Sequence, residues 1–274
     1  MPAAAISTYN LTQWLIFFYM YCFIGWCFES TVVSVNQKKF VNRGFVRGPF
    51  LPIYGSGAIV ILIATLPIQD NYFLTFLGGA AAATFLEYVT GVCMEALFQV
   101  RYWDYSQKKF QFQGHICLTS TLAWGALSIL MVNVVHLPIE RFVLRIPEQL
   151  LNGMAFVFTA VFTADFTDSF RTAIDLKNLL MRSEKLQEEL LVLQIRAEQL
   201  EALIEHEKEK ISLEKDRFVQ ELQAIHEKQV INREKLRSRL SVDKIRLLRR
   251  NPSAHSRKYR EVFERLKKNH TLRE

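Results

Sequence analysis

The sequence predicts an all-α fold: a polytopic membrane helix bundle of about five transmembrane helices, followed by a long cytoplasmic coiled-coil helix. Three observations predict it. Roughly the first 170 of the 274 residues are apolar and the rest are densely charged, so a mean hydropathy of +0.08 averages two opposite halves. The apolar half divides into runs long enough to cross a hydrocarbon core of ~30 Å at ~1.5 Å per residue. After Phe170 the pattern changes to a seven-residue repeat, Leu179, Leu186, Leu193 and Leu200.

The first span covers about Leu11 to Val35 and carries Glu29 near its end. The second covers about Leu51 to Ile68 and opens with Pro52, tolerated in a first turn because its missing N–H would have no partner there. The third lies between Tyr72 and Tyr105 and organises the bundle. Its apolar run FLTFLGGAAAATFLEYVTGVCMEALF holds Glu87 and Glu95, and Arg101, Trp103 and Asp104 come at once after it. A carboxylate at membrane depth costs several kcal/mol unless protonated, paired or facing water, so both must point into a protein interior or cavity. The small residues from Gly78 to Ala83 suit close approach by another helix. A fourth span runs from about His115 to Leu137. The fifth, about Leu151 to Phe170, is the shortest uninterrupted run and carries Asp165 and Asp168, with Arg171 one turn on as an expected ion-pair partner. Between spans four and five, Pro138 to Pro147 is too short to cross and reads as an interfacial segment on the outer surface.

Lys and Arg accumulate on the cytoplasmic side of a membrane. Lys38, Lys39, Arg43 and Arg47 fall in the loop after span one, and Arg101, Lys108 and Lys109 in the loop after span three. The turn Gln69-Asp70-Asn71 has no cation, and Arg141 and Arg145 are balanced by Glu140 and Glu148. The expected placement is a multi-pass cell-membrane protein with its N-terminus outside and its C-terminal half in the cytoplasm. Cys22, Cys27, Cys93 and Cys117 lie in apolar segments without metal-ligand spacing and read as small hydrophobes. His115 and His136 flank span four with no partner at ligand spacing, so neither a metal nor another cofactor is expected.

In the charged half, Leu190, Ala197, Ile204, Ile211, Phe218 and Ile225 form a companion seam, while Glu207, Glu214 and Glu221 weaken the first and predict a register shift near Leu222. No proline occurs between Pro147 and Pro252, so one rod is expected to leave the membrane, self-associating into a homo-oligomer or folding back as an intramolecular hairpin. The expected units are a transmembrane bundle (1–170), a coiled coil (171–250) and a basic tail (251–274). From Ser238 onward twelve Lys and Arg face four Asp and Glu. Beside a bilayer that surplus favours anionic lipid head groups over nucleic acid.

Five motifs occur in order: GWCFES (Gly25 to Ser30), NRGFVRGPFLPIYG (Asn42 to Gly55), EYVTGVCMEALF (Glu87 to Phe98), RYWDYS (Arg101 to Ser106) and GHICL (Gly114 to Leu118). On these motifs the chain resembles the bacterial ABC-transporter permease family of the CmpB type over about residues 10 to 140. The resemblance implies a multi-span membrane fold and a transport role, and the charged extension lies outside it.

The candidate substrate or ion site comprises Glu29, Arg43, Arg47, Glu87, Glu95, Arg101 and Asp104. All stand at the cytoplasmic end except Glu87, which is nearer mid-membrane. Two readings compete. Opposite charges gathered at one end can clamp loops to helices. Alternatively they form a vestibule in which Arg43 or Arg47 engages an anion and Glu87 is a deeper station. Gly44 to Gly57, rich in glycine and proline, is either a re-entrant entry to span two or an interfacial turn. Trp103 and Tyr105 read as boundary anchors rather than ligand stackers. No GxxxxGK[ST] loop, GxSxG elbow or HExxH helix occurs, so no enzyme activity is expected and ATP-driven transport would need a separate ATPase subunit. The functional expectation is a permease component handling a small solute or ion. The alternative is a membrane-anchored scaffold or sensor whose coiled coil recruits partners.

Overall fold

A computed structural model describes residues 9–206 and 242–271, with positions 220, 223, 224, 227, 230 and 231 between them. Helix α1 (Leu11–Gln37) starts at a capping box in which Asn10 Oδ1 accepts from the Gln13 N–H while Gln13 Oε1 accepts from the Asn10 N–H, each at 2.9 Å. It ends at Lys38, whose left-handed φ of 53° turns the chain away. A loop leads to α2 (Pro52–Thr65), which tightens into a 3-10 turn (Leu66–Ile68) at Pro67 because proline cannot continue the α-helical ladder. Helix α3 (Tyr72–Phe98) is capped by Asn71, whose side chain accepts from the Phe73 and Leu74 amides. A small hairpin of β1 (Gln111–Phe112) and β2 (Ile116–Cys117) then leads to α4 (Leu118–Leu130).

Helix α4 passes through a π turn (Met131–Val135) straight into α5 (His136–Arg145). The segment expected to lie apart on the surface is thus mostly helix continuous with α4. Pro138 lies inside this continuous helix, where its missing N–H interrupts the α-helical ladder next to the π turn, and Ile139 and Val143 are buried in the bundle core. Helix α6 (Glu148–His206) then runs without a break, and α7 (Val242–Arg250) and α8 (Arg260–Thr271) complete the described chain.

The fold is an all-α membrane bundle. Four helices are long and apolar enough to cross a bilayer: Leu11–Gln37, Tyr72–Phe98, Leu118–Arg145 and Glu148–Arg196. Of the five expected runs, the short one is the second, Pro52–Ile68, cut by its proline, whereas the run after Leu151 begins the longest helix. Bulky side chains such as Phe28, Phe85 and Phe156 turn outward, as a lipid-facing surface requires.

Helices α1, α2, α3 and α4 pack in sequence, and α6 closes against α1 and α3. Small residues make the approaches possible. A Cβ on Gly79 would collide with Ser128 on α4, and one on Gly55 would lie 2.7 Å from the Phe18 carbonyl oxygen, a backbone atom with little room to yield. One core, around Phe17, Leu62, Val132 and Leu151, fills one half of the bundle.

The second core is built at the other end, where Phe98, Val100 and Tyr102 meet Leu176 and Leu180 of α6 and Leu247, Leu248 and Phe263 of the last two helices. Of the two expected arrangements, a projecting rod and an intramolecular return, the contacts of the last two helices fit the return. The chain leaves the bundle along α6, yet Lys244 Nζ is 3.7 Å from Asp175 and Leu247 packs in the same core as Leu180. The hydrophobic faces of α7 and α8 are satisfied by the bundle end, which favours return over projection. The seam positions Ile211, Phe218 and Ile225, with Glu207, Glu214 and Glu221 and the register shift near Leu222, lie outside the described residues.

Candidate functional site

The polar side chains gather where α1 and α3 end and α2 and α4 begin. Glu87 lies deepest, facing the interior with 5 % exposure. Its two oxygens accept separate hydrogen bonds, Oε1 from the Tyr105 hydroxyl and Oε2 from Trp124 Nε1, each 3.0 Å. Both donors are neutral, so its contacts leave a carboxylate's charge uncompensated by a cation. Tyr54 stands edge-on to Trp124, ring centres 6.2 Å apart, and donates to Glu29 at 3.1 Å; Glu29 in turn lies 3.6 Å from Arg43 Nε. Glu87 and Glu29 thus meet across a shared aromatic wall of Tyr54, Trp124 and Tyr105.

Two turns beyond Glu87, Glu95 belongs to a different arrangement. Arg101 grips it with a fork, Nε to Oε1 and Nη2 to Oε2 at 2.7 Å each, and His115 Nε2 is 3.1 Å from Oε2. The same guanidinium reaches Asp104 at 3.3 Å and the Gln113 carbonyl at 3.0 Å. Asp104 also meets His255 at 3.2 Å and takes hydrogen bonds from the Ser106 N–H and hydroxyl. Burial works against charging Asp104, but Ser106, Arg101 and His255 outweigh it and hold the carboxyl below the usual range. Burial first, then the Arg101 charge, pushes His115 down, and Glu95 and Asp104 only partly oppose this. Beside the cluster lies an open cleft of about 680 Å³, lined by Glu95, Arg101, Gln111, Gln113 and Arg257 among others.

The arginines expected to meet an anion have internal partners. Arg43 donates to the Arg250 carbonyl at 3.2 Å and to Asn251 Oδ1 at 3.3 Å. Arg47 pairs with Asp168 at 2.6 Å and Asp243 at 3.2 Å. Asp165, rather than serving Arg171, accepts from the main-chain N–H groups of Arg47 and Gly48 at 3.0 and 2.7 Å and ties the loop to α6. Trp103 donates to the His115 carbonyl at 2.9 Å, and Tyr105 to Glu87, so neither is merely a boundary anchor.

The seven predicted residues therefore fall into linked but distinct groups: Glu29 with Arg43, Glu87 with its neutral donors, Arg47 with aspartates, and Glu95, Arg101 and Asp104 together. Sequence reasoning missed Tyr54, Trp124, Asn251 and His255. The signals for the first two were modest: an aromatic beside glycine in each of Pro-Ile-Tyr-Gly and Ala-Trp-Gly.

A family model described as Putative ABC-transporter type IV matches residues 16–170. The chain belongs to this family. All seven predicted residues, together with Tyr54, Tyr105 and Trp124, lie inside the ABC-transporter type IV region, whereas Asp243, Asn251 and His255, which close over it, lie beyond. Comparison with curated proteins and with solved structures finds no match.

Proposed function

We propose that the chain is the membrane component of a transporter that moves a small cation or cationic solute through the space enclosed by α1 to α4, with Glu87 as the binding station. One observation carries the reading: a carboxylate inside an apolar bundle whose hydrogen-bond partners, Tyr105, Trp124 and Ser120, are all neutral. Such a group can accept a cation or a proton without first breaking an ion pair, whereas Glu95 would have to leave Arg101. Glu29, across the aromatic wall from Glu87, is the next station toward the charged end. Arg43, Arg47, Arg101 and Asp104 act as the clamp that closes this end, not as ligands.

In this reading the protein is not an enzyme and holds no cofactor, and ATP-driven transport would use a separate ATPase subunit. The basic loops favour a charged end in the cytoplasm and an N-terminus outside. Exposed Arg246, Lys258, Arg260 and Arg265 face anionic lipid head groups rather than nucleic acid. Leu191, Val192 and Ile195, exposed on α6, favour a second element: pairing of this helix in a homo-oligomeric coiled coil, or its use as a scaffold for cytoplasmic partners.

Purified protein in proteoliposomes, screened with a panel of monovalent, divalent and organic cations, tests the proposal. Glu87→Gln should abolish uptake while leaving the folded amount unchanged. Transport unaffected by Glu87→Gln and by Glu29→Gln would overturn it.

A further inference from the structure

The face of α3 that turns away from Glu87 carries a second polar feature, one the proposed pathway does not use. At ~100° per residue, Val92 stands about 140° around the helix from Glu87. Phe85, Val89, Val92 and Ala96 follow one another at spacings of four, three and four residues, so they form a single stripe, and Phe85 is 70 % exposed, as a side chain against acyl chains would be. The stripe runs into the open cleft of about 680 Å³, whose wall is apolar at Val92 and Ala96 and polar at Gln111, Gln113 and Arg257. Phe110 and Phe112 on the adjoining hairpin are 81 % and 55 % exposed and set this end of α3 at the boundary between hydrocarbon and head groups.

The polar wall is built as a set of donors. The hairpin lies on α3 because the Phe112 ring centre is 5.5 Å from that of Tyr88 and the Tyr88 hydroxyl donates to Gln113 Oε1 at 3.1 Å. Gln111 Oε1 accepts from the Gly114 N–H at 2.6 Å. Each amide thus uses its oxygen inside the protein, and among the described residues its NH2 group has no partner. Gly114, at φ 75°, lets the hairpin close on the arginines; a Cβ there would lie 2.5 Å from Arg101 Nη1 and 3.2 Å from Arg257 Nη2. The third donor comes from far along the chain. Main-chain bonds between Arg101 and His255, 2.8 and 3.0 Å long, pin the segment that carries Arg257. Arg257 is half exposed, and its pairing with Asp104 is long, 3.9 Å, beyond hydrogen-bond length. Glu95, the acid in the wall, has both oxygens held by Arg101. Exposed Lys108 and Lys109, just before β1, add to the positive surplus.

We propose that this cleft binds one anionic phospholipid of the leaflet at the charged end: its phosphate meets Arg257 and the Gln111 and Gln113 amides, and an acyl chain follows Ala96, Val92, Val89 and Phe85 along α3. The site is more than the diffuse attraction of a basic tail, and it needs only that the bundle spans a bilayer, not that Glu87 is a transport station. A wall of donors matches the oxygens of a phosphate. Its positive surplus disfavours a zwitterionic head group, which would bring a quaternary ammonium beside Arg257. A free phosphate would use the same donors but leave the apolar stripe unused, which favours the lipid. Because Arg257 belongs to the returning segment, the bound lipid bridges that segment to the hairpin.

Full-length protein in micelles of a neutral detergent, titrated with phosphatidylglycerol, phosphatidylcholine or inorganic phosphate and read by native mass spectrometry, tests the site. One phosphatidylglycerol should be held about tenfold or more tightly than phosphatidylcholine, and inorganic phosphate should not displace it. Two variants should each cut that preference by about tenfold: Arg257→Gln, and Gln113→Glu, which keeps the acceptor for Tyr88 but turns the donor into an anion. The Tm of the lipid-free variants should stay within about 2 °C of the parent. Arg182→Gln, which removes an exposed charge on α6 away from the cleft, should leave the preference intact. Equal retention of the two lipids, or a preference unchanged in both Arg257→Gln and Gln113→Glu, overturns the site. A loss in Arg182→Gln as large as in Arg257→Gln overturns it in favour of diffuse surface charge. Inorganic phosphate that binds as tightly as the lipid overturns the lipid as ligand. None of these measurements reads transport, so their failure leaves the Glu87 station standing, and uptake unaffected by Glu87→Gln leaves the cleft standing.

Discussion

Replacing Arg101 by glutamine should be among the most damaging single changes at the charged end. The Arg101 side chain is 3 % exposed and grips Glu95 through two bonds of 2.7 Å while reaching Asp104 at 3.3 Å. Glutamine leaves both carboxylates without their main cation. Breaking a buried ion pair from one side costs about 3–5 kcal/mol. Glu95 and Asp104 retain 26 % and 20 % side-chain exposure, so water recovers part of this and the lower end, about 3 kcal/mol, is expected. At roughly 2–4 °C per kcal/mol, the apparent Tm in detergent should fall by about 6–12 °C. Arg101→Lys keeps the charge but loses the fork and should fall by about half as much. The double variant with Glu95→Gln should lose less than the sum of the two singles, because the second change removes the stranded charge. An Arg101→Gln protein melting within about 2 °C of the parent would refute the clamp.

The same structure carries three further expected outcomes. Phe263, fully buried between α8 and the bundle end, should cost about 3–5 kcal/mol when changed to alanine, and limited proteolysis should then cut within 242–271. His115 binds its proton less readily folded than unfolded. Its contribution to stability is therefore lost as pH falls below the unfolded value of about 6.5, until the lower folded value is passed. Asp104, also depressed, adds a second loss below about pH 4, and His115→Gln should flatten only the first segment of the Tm–pH curve. A cysteine at exposed Lys258 should react with an impermeant maleimide only after cells are opened; labelling of intact cells would reverse the proposed orientation.

Legibility in the sequence tracks the range of the interactions. The Glu95–Arg101–Asp104 group lies within ten residues, and an acid inside an apolar helix must face inward, so both it and Glu87 could be read from the chain. Gly79 against Ser128 likewise comes from a run of small residues. Partners brought together by helix packing were not legible. Trp124 meets Glu87 across 37 positions and Tyr9 meets His136 across 127, and no local pattern records such pairings. The return of Lys244 to Asp175 was hidden for another reason: a heptad seam satisfies a rod and a hairpin equally. The sequence could not choose between a clamp and an anion site for Arg43 and Arg47, because their partners Asn251, Asp168 and Asp243 come from distant parts of the chain.

Reaction with a hydrophobic carbodiimide tests most directly whether Glu87 is a working station. This reagent adds to carboxyl groups that can take up a proton within an apolar environment. A working station predicts a mass adduct on the peptide containing Glu87, slowed by the transported cation and absent in Glu87→Gln. A peptide that stays unmodified, or is modified at a rate no cation alters, would make Glu87 a structural carboxylate and remove the pathway built on it.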